Sequence, residues 1–429
     1  MPTNLSKQQA LIIIGIIVLV LVVGTAIFLN LRPRANTGPT ITLKVWGTEP
    51  TAAFSTAASS YPYATVTYTH IDPANYDAQV LAALAAGNGP DVFEIGNHAV
   101  PRWSSVIAPL SVPTSSGATF GPAQIAQLYP DVVGEDWVLG GQVYGLPVSL
   151  DTLVMAYNKD LFNQANIALP PATWDDFDTD VAKLRTVNAA SQLTQAAAAI
   201  GASGDTVPNA TDILSLLMLQ NGTTMVSADN SSAVFASQAG NAPGLAAFNF
   251  YLQFANAASP YYAWNPAMGA GLDSFAAGKT AIVFVYQSDL AALKAKAPFL
   301  NYALAPVPQA KGATAAVNYA RYNGFVAARA GQQTAAWDFI IYESAQGGIK
   351  PYLASTGGLS ALRADIAAAQ TDPNLGVFAG EALTAKSWYE PNDVTVDGLF
   401  NAAINNVLNN AEDPGRALLE AQTAVGQLL

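Results

Sequence analysis

A strand, a helix and a second strand follow one another within residues 41–95, and no other feature restricts the fold as strongly. ITLKVW (41–46) is a short β-rich run, YDAQVLAALAAGN (76–88) is a helix ended by Gly87, and PDVFEI (90–95) is the second strand. Strands joined through a helix can lie parallel, which a tight turn forbids, so this order predicts an α/β domain on a parallel sheet. Ligands of such sheets sit beyond the carboxyl ends of the strands. Those ends are Trp46-Gly47-Thr48-Glu49 and Ile95-Gly96-Asn97-His98. Trp46, Thr48, Glu49, Asn97 and His98 are therefore the first candidate ligand-binding residues.

The rest of the body continues the alternation. LPPATWDDFDTDVAKL (169–184) is a helix start: Pro170 and Pro171 stop the previous element, Thr173 caps, and Asp176 completes a capping box before Phe177, Val181 and Leu184. Trp174 then packs at the helix entrance. Residues 212–220, 244–258 and 332–344 read as helices, the last with Trp337 on its apolar face; 281–286 and 302–307 read as strands, and the chain from 395 on is helical. With 429 residues, the chain has room for two or three domains at about 100 to 200 residues each. Hydrophobic residues make up 51% and charged ones 11%, a balance that fills cores and does not suit disorder.

Several chemistries are disfavoured by what the chain contains. Its net charge is -12, without a run of Lys and Arg, which argues against nucleic acid. Zero Cys removes disulfides, thiol catalysis, cysteine zinc sites and attachment of a lipid through cysteine. AGKTAIVF (277–284) imitates a phosphate loop, but Asp273 stands where the first glycine is needed and a β-branched strand follows where a helix must start. Two histidines, His70 and His98, in separate segments do not make a zinc site of three protein ligands. No obligatory metal, nucleotide or flavin is expected; calcium stays open through clusters such as Asp229-Asn230. Paired carboxylates for glycoside hydrolysis also stay open, because their separation is a tertiary fact.

Residues 11–31, LIIIGIIVLVLVVGTAIFLNL, contain no charge and match roughly the 30 Å bilayer core as a helix. The run is longer than the apolar part of a cleavable signal and ends in Arg32 and Arg34 without a small-residue cleavage site, so it reads as an uncleaved signal anchor over residues 1–34. RPRANTGPT leads into the body, with residues 35–40 as linker. The expected location is a cell membrane, single-pass, with the body extracytoplasmic.

Aromatic residues in loop settings point to recognition. Trp264 lies in YYAWNP and Trp388 in KSWYEP, and Trp46 ends the first strand. A loop Trp beside Asn, Asp or Glu can stack on a sugar face while the polar neighbour takes hydroxyls, or can simply pack. Asp151, in SLDTLVMAYNKDLF (149–162), stands at the mouth of an apolar strand where an unpaired carboxylate costs several kcal/mol to desolvate.

LKVWGT, AALAAGNGPDVFEI, VYGLPVSLDTLVMAYNKDLFNQANIALPPATWDDF, FAAGKTAIVF, YALAPVP and NGFVAAR occur in this order. Together, from residue 41 to the end, they resemble the extracellular solute-binding proteins of ABC importers, the sugar-binding group that includes maltose-binding protein. Gly89-Pro90-Asp91 and Tyr157-Asn158-Lys159-Asp160 carry most of the resemblance. It implies a two-lobe, type II periplasmic-binding-protein-like α/β fold: residues 41–149 with 300–347 in one lobe, 150–299 with 348–429 in the other. It also implies crossings near 147–150, 293–301 and 347–351. Asp151 then falls in the cleft, in wait for ligand hydroxyls, and Tyr-Asn-Lys-Asp becomes a strand-to-helix turn. Tyr286, Ser288, Arg321 and Asn323 join Trp46, Thr48, Glu49, Asn97, His98, Asp151, Trp264 and Trp388 as candidate ligand-binding residues. The chain departs from the family at Ile95 and His98, where maltose-binding protein has a stacking Trp and an Asp, and in lacking a lipobox cysteine. The implied function is a monomeric, membrane-anchored, non-catalytic receptor that hands a carbohydrate to ABC permease subunits. A polyamine or other cationic solute, a carboxylate-dependent glycosidase, and a sensory or adhesive ectodomain are the alternatives.

Overall fold

Two large sheets divide the chain between them. The computed structural model describes residues 41–110, 120–190, 192–236 and 242–429. In chain order the strands are β1 (Thr42–Gly47), β2 (Thr65–His70), β3 (Val92–Gly96), β4 (Ile107–Ala108), β5 (Val138–Leu139), β6 (Gln142–Val143), β7 (Gly145–Pro147) and β8 (Val154–Asn158). They continue as β9 (Thr186–Val187), β10 (Leu193–Ala198), β11 (Thr280–Val285), β12 (Tyr302–Ala305), β13 (Asn318–Tyr319), β14 (Asn323–Ala328) and β15 (Ala385–Lys386).

The first sheet has the order β2-β1-β3-β14-β4, with β7 also on β14. The strand-helix-strand reading of residues 41–95 is borne out: β1 lies parallel to both β2 and β3, and helix Tyr76–Ala85 makes the crossover. β14 is antiparallel to β3, placing Asn323 opposite Gly96. The second sheet has the order β12-β8-β11-β10-β9. All six residues of β11 are buried, as expected where both faces are covered and the strand reads as a continuous apolar run.

Local signals hold at two starts. Thr173 Oγ1 accepts from the Asp176 backbone at 3.2 Å and donates to its carboxylate at 2.7 Å, closing the capping box of helix Trp174–Leu184. Asn158 Oδ1 accepts from Asp160 and Leu161 N–H at 2.9 and 3.2 Å, so Tyr-Asn-Lys-Asp is the strand-to-helix turn expected.

Two crossings lie elsewhere than the sequence reading placed them. β12 pairs with β8, which keeps Tyr302–Ala305 in the second lobe; the second crossing is the stretch between β12 and β14 and not residues 293–301. Helix Lys350–Thr356 packs on helix Thr51–Ala58 of the first lobe, with Phe54 and Tyr352 ring centroids 5.9 Å apart, so the third crossing follows Thr356 instead of spanning 347–351. Both shifts have one cause: an apolar run announces a strand or helix, but its partner is chosen by tertiary packing. Just after β7, Val148 N–H donates to Asn323 O at 2.9 Å. The expected anchor and linker, residues 1–40, lie outside the described residues. Among those described, no helix is long and apolar enough to cross a membrane.

At the junction of β7 and β14, Trp137 fills the space that two glycines leave. A Cβ on Gly145 would lie 2.5 Å from the Trp137 ring, and one on Gly324 would lie 2.5 Å from Leu146 O and 2.7 Å from the same ring. Trp137 is fully buried there.

Candidate ligand-binding cleft

The carboxyl ends of β1 and β3 form the first lobe's contribution. Glu94, the one acid in the buried β3, is 1% exposed. Its Oε2 accepts from Thr48 N–H at 2.6 Å and Thr48 Oγ1 at 3.0 Å, and its Oε1 accepts from Asn323 Nδ2 at 2.7 Å. Glu49 reaches the same carboxylate and also accepts from Tyr352 OH. Burial, then the charge of Glu94, pushes the Glu49 carboxyl up to about 8, so the two acids share a proton at neutral pH. Thr48, Glu49 and Asn323 are thus brought together, with Trp46 half-buried beside them on β1.

A second group of candidates lies at the carboxyl ends of β10 and β11. Arg321, carried on the second crossing, places Nη2 2.7 Å from Asp212 Oδ1 and 3.7 Å from Glu390 Oε2, and Nη1 3.5 Å from Asp397 Oδ2. Tyr286 OH donates to the other oxygen of Asp212 at 2.9 Å, and Tyr319 OH donates to Glu390 at 2.6 Å. Burial holds Asp212 at about 6 and Glu390 at about 7, against the opposing pull of Arg321. A cavity of about 360 Å³ opens here, lined by Asn209, Asp212, Tyr286, Ser288, Arg321 and Asp397 among others. Buried Arg321 Nε has no hydrogen-bond partner among the described residues. The cavity therefore offers carboxylate acceptors and a guanidinium donor, a set suited to a ligand rich in hydroxyl groups.

Two candidates have partners inside the protein. The Asp151 carboxylate accepts from Gln287 N–H at 2.9 Å and Ser288 N–H at 3.1 Å; it fixes the turn after β11 that carries Ser288 to the cavity. The acid at the strand mouth is thus satisfied by backbone amides, and burial still lifts it to about 6. Trp264 is fully buried and donates to Thr206 Oγ1 at 3.1 Å, so its indole is already partnered inside the second lobe.

Asn97, His98 and Trp388 gather between the lobes. Asn97 Nδ2 donates to Asp136 at 2.9 Å, His98 Nδ1 lies 2.8 Å from Trp388 O, and Trp388 Nε1 donates to Ser215 Oγ at 3.2 Å. They line a second cavity, of about 320 Å³, with Asp136, Thr223, Met225 and Tyr389. Asp229 closes a local turn by accepting from Ser227 and Ser231.

Asp212, Glu390, Asp397 and Glu94 were not among the candidates. Asp212 and Asp397 look like ordinary first-turn or surface acids of helices Ala210–Gln220 and Asp393–Leu408. The available signals were an acid inside the wholly apolar VFEI and another opening the apolar TDILSLLML, both buried in the fold.

Known proteins carry the same architecture. The model of the family described as bacterial extracellular solute-binding protein matches residues 47–345. A cyclic alpha-maltosyl-1,6-maltose binding protein from Arthrobacter globiformis superposes with a TM-score of 0.72 at 18% identity, covering 91% of this chain and 99% of that one. An ABC substrate-binding protein from Listeria monocytogenes in complex with cycloalternan gives 0.69 at 19% identity, covering 91% and 99%. Diacetylchitobiose binding protein DasA of Streptomyces coelicolor is 31% identical over 111 residues, 24% of this chain and 23% of its own. A binding protein of Brucella abortus is 50% identical over 48 residues, 11% of this chain and 12% of its own, so the matches span less than a quarter of these curated relatives. The fold agrees with the family match, and the chain belongs to the bacterial extracellular solute-binding proteins.

Proposed function

We propose that this chain is the extracytoplasmic receptor of an ABC importer and captures a neutral mono- or oligosaccharide between its lobes. The carrying observation is Arg321: it sits on a crossing, is joined to Asp212, and faces Asp397 in a cavity at the carboxyl ends of β10 and β11. A ligand held there touches the segment whose bending moves the lobes, which couples capture to closure. Solved structures of this architecture hold maltotetraose, cycloalternan and mannobiose, which supports a sugar. The receptor binds without turnover, serves permease subunits as a monomer, and is held to the membrane by residues 11–31.

The test is calorimetric titration with maltotetraose, mannobiose and diacetylchitobiose, with product analysis after long incubation. Saturable heat with unchanged sugar is expected, and Asp397→Ala should weaken binding about tenfold, the effect of one hydrogen bond to a charged group. Silence from a broad sugar panel sinks the reading. A second reading rests on the acid excess of the cavity, where Asp212, Asp289 and Asp397 surround one Arg: saturable binding of spermidine alone assigns a cationic solute. Intact mass tests the anchor; a mature chain beginning near residue 34 rejects it.

A further inference from the structure

The passages between the lobes meet at Leu150 and Asp151. The chain leaves β7 of the first sheet at Pro147 and enters β8 of the second at Val154, so both residues lie on the way across. Arg321 N–H, on the second crossing, donates to Asp151 O at 3.1 Å, and Thr152 bridges antiparallel to Ala320 beside it. Leu150 N–H donates to Leu359 O at 3.0 Å, on the third crossing.

The Asp151 carboxylate adds a fourth element to this meeting point. Its two oxygens accept from Gln287 and Ser288 N–H, the opening residues of the turn Gln287–Asp289. Hydrogen bonds to an ionised acceptor are stronger than those between neutral groups, so the turn is held firmly. Tyr286, Ser288 and Asp289 line the cleft cavity. Gln287 points elsewhere: its Nε2 donates to Gly357 O at 2.8 Å, back on the third crossing. Gly357 has φ +76°, a left-handed conformation that glycine takes without strain, so the side chain of Gln287 grips the crossing where it bends. The cleft wall closes the circuit. Tyr286 OH donates to Asp212, Asp212 pairs with Arg321, and the Arg321 backbone returns to Asp151.

We propose that Asp151 is a positioning residue that ties the turn Gln287–Asp289 to the passages between the lobes, so that this part of the cleft wall and the angle between the lobes move as one. That a captured ligand uses the tie rests on the receptor reading above; the tie itself is tested without ligand. The chain has no cysteine, so spin labels on Ala74→Cys in the first lobe and Ala257→Cys in the second, both exposed positions, report the distance between lobes in the full chain by double electron–electron resonance. Asp151→Ala should broaden and displace the ligand-free distribution. Gln287→Ala, at a half-buried position, cuts only the link to Gly357 and should act in the same direction. The double variant should go no further than Asp151→Ala, as residues of one network do not add. Thr206→Val, which removes the partner of Trp264 inside the second lobe, should leave the distribution in place. A wild-type distribution in Asp151→Ala or in Gln287→Ala overturns the proposal. So does an equal displacement by Thr206→Val, which would reduce the effect to general loosening. Added maltotetraose keeps the two readings apart: no movement of wild type counts against a sugar receptor, and the ligand-free comparison still decides the tie.

Discussion

Arg321 Nη2 stands 2.7 Å from Asp212 Oδ1, and this pair joins the second crossing to the first turn of helix Ala210–Gln220. Asp212 is 5% exposed, and Glu390, also within reach of the guanidinium, is 2% exposed. Removing one partner of such a cluster leaves buried charge behind. Arg321→Ala should therefore lower stability by about 3 kcal/mol in urea unfolding at pH 7. The loss should shrink at pH 5, where the abandoned carboxyls take up protons and no longer need the cation. An equal loss at both values would show that the cluster is not electrostatic in origin.

Glu49 and Glu94 give the first lobe a titration of its own. Glu49 lies near 8 in the fold against an ordinary 4.5, so the folded state holds a proton that the unfolded chain has released. The sign follows: stability falls as pH rises from the unfolded value to about 8 and is level above it. Glu49→Gln keeps an amide donor for Glu94 and removes this titration. The variant's thermal midpoint should drop less between pH 5 and pH 8 than that of wild type, by the equivalent of about 1 to 2 kcal/mol. Parallel curves for the two proteins would refute the shared proton.

Glu343 contributes to the same slope from another place. It is 1% exposed on helix Gln333–Ala345, neither carboxyl oxygen has a hydrogen-bond partner among the described residues, and burial pushes it up to about 8. A buried polar group without partners is a cost of folding, so Glu343→Leu should stabilise the protein by about 1 to 3 kcal/mol at pH 7. The gain should be larger at pH 8 than at pH 5, since wild type alone loses stability over that range. Differential scanning fluorimetry at both values checks it, and a destabilised variant would reveal a partner for Glu343.

Gly324 is required by close approach and not by turn geometry. An added methyl would press on Leu146 O and the Trp137 ring, and neither can retreat, because Trp137 also covers Gly145. Gly324→Ala should cost about 1 to 3 kcal/mol, the usual range for overpacking. Gly324→Ala with Trp137→Phe should recover part of it, measured as a double-mutant cycle in urea.

The fold was legible where local rules and tertiary structure agree. Residues 41–95 spell their own parallel unit, and Thr173 with Asp176 spells its own helix start. The position of β12 was not legible, because Tyr302–Ala305 would satisfy either sheet and only pairing with β8 decides. Site residues divide in the same way. Thr48, Glu49, Tyr286, Ser288, Arg321 and Asn323 occupy strand ends or crossings, where topology predicts ligands. Asp151 and Trp264 carry chemistry that a ligand could use, yet backbone amides and Thr206 use it first. Asp212 escaped notice because an acid in a first helical turn has a sufficient local explanation in the helix dipole, and Asp397 because, one turn into its helix, it carries no signal of its own in the sequence.

The placement of β14 has a consequence for biogenesis. Residues 323–328 form the strand between β3 on one side and β4 and β7 on the other, so the first lobe's sheet cannot close until a segment far along the chain is delivered. The second lobe's sheet is drawn wholly from residues 154–305 and is complete earlier in synthesis. Because long-range pairing is slow relative to local closure, the lobe that begins the chain finishes last. The crossing that leads into β14 is therefore assembled late, and the joint between the lobes is the last part of the body to take shape.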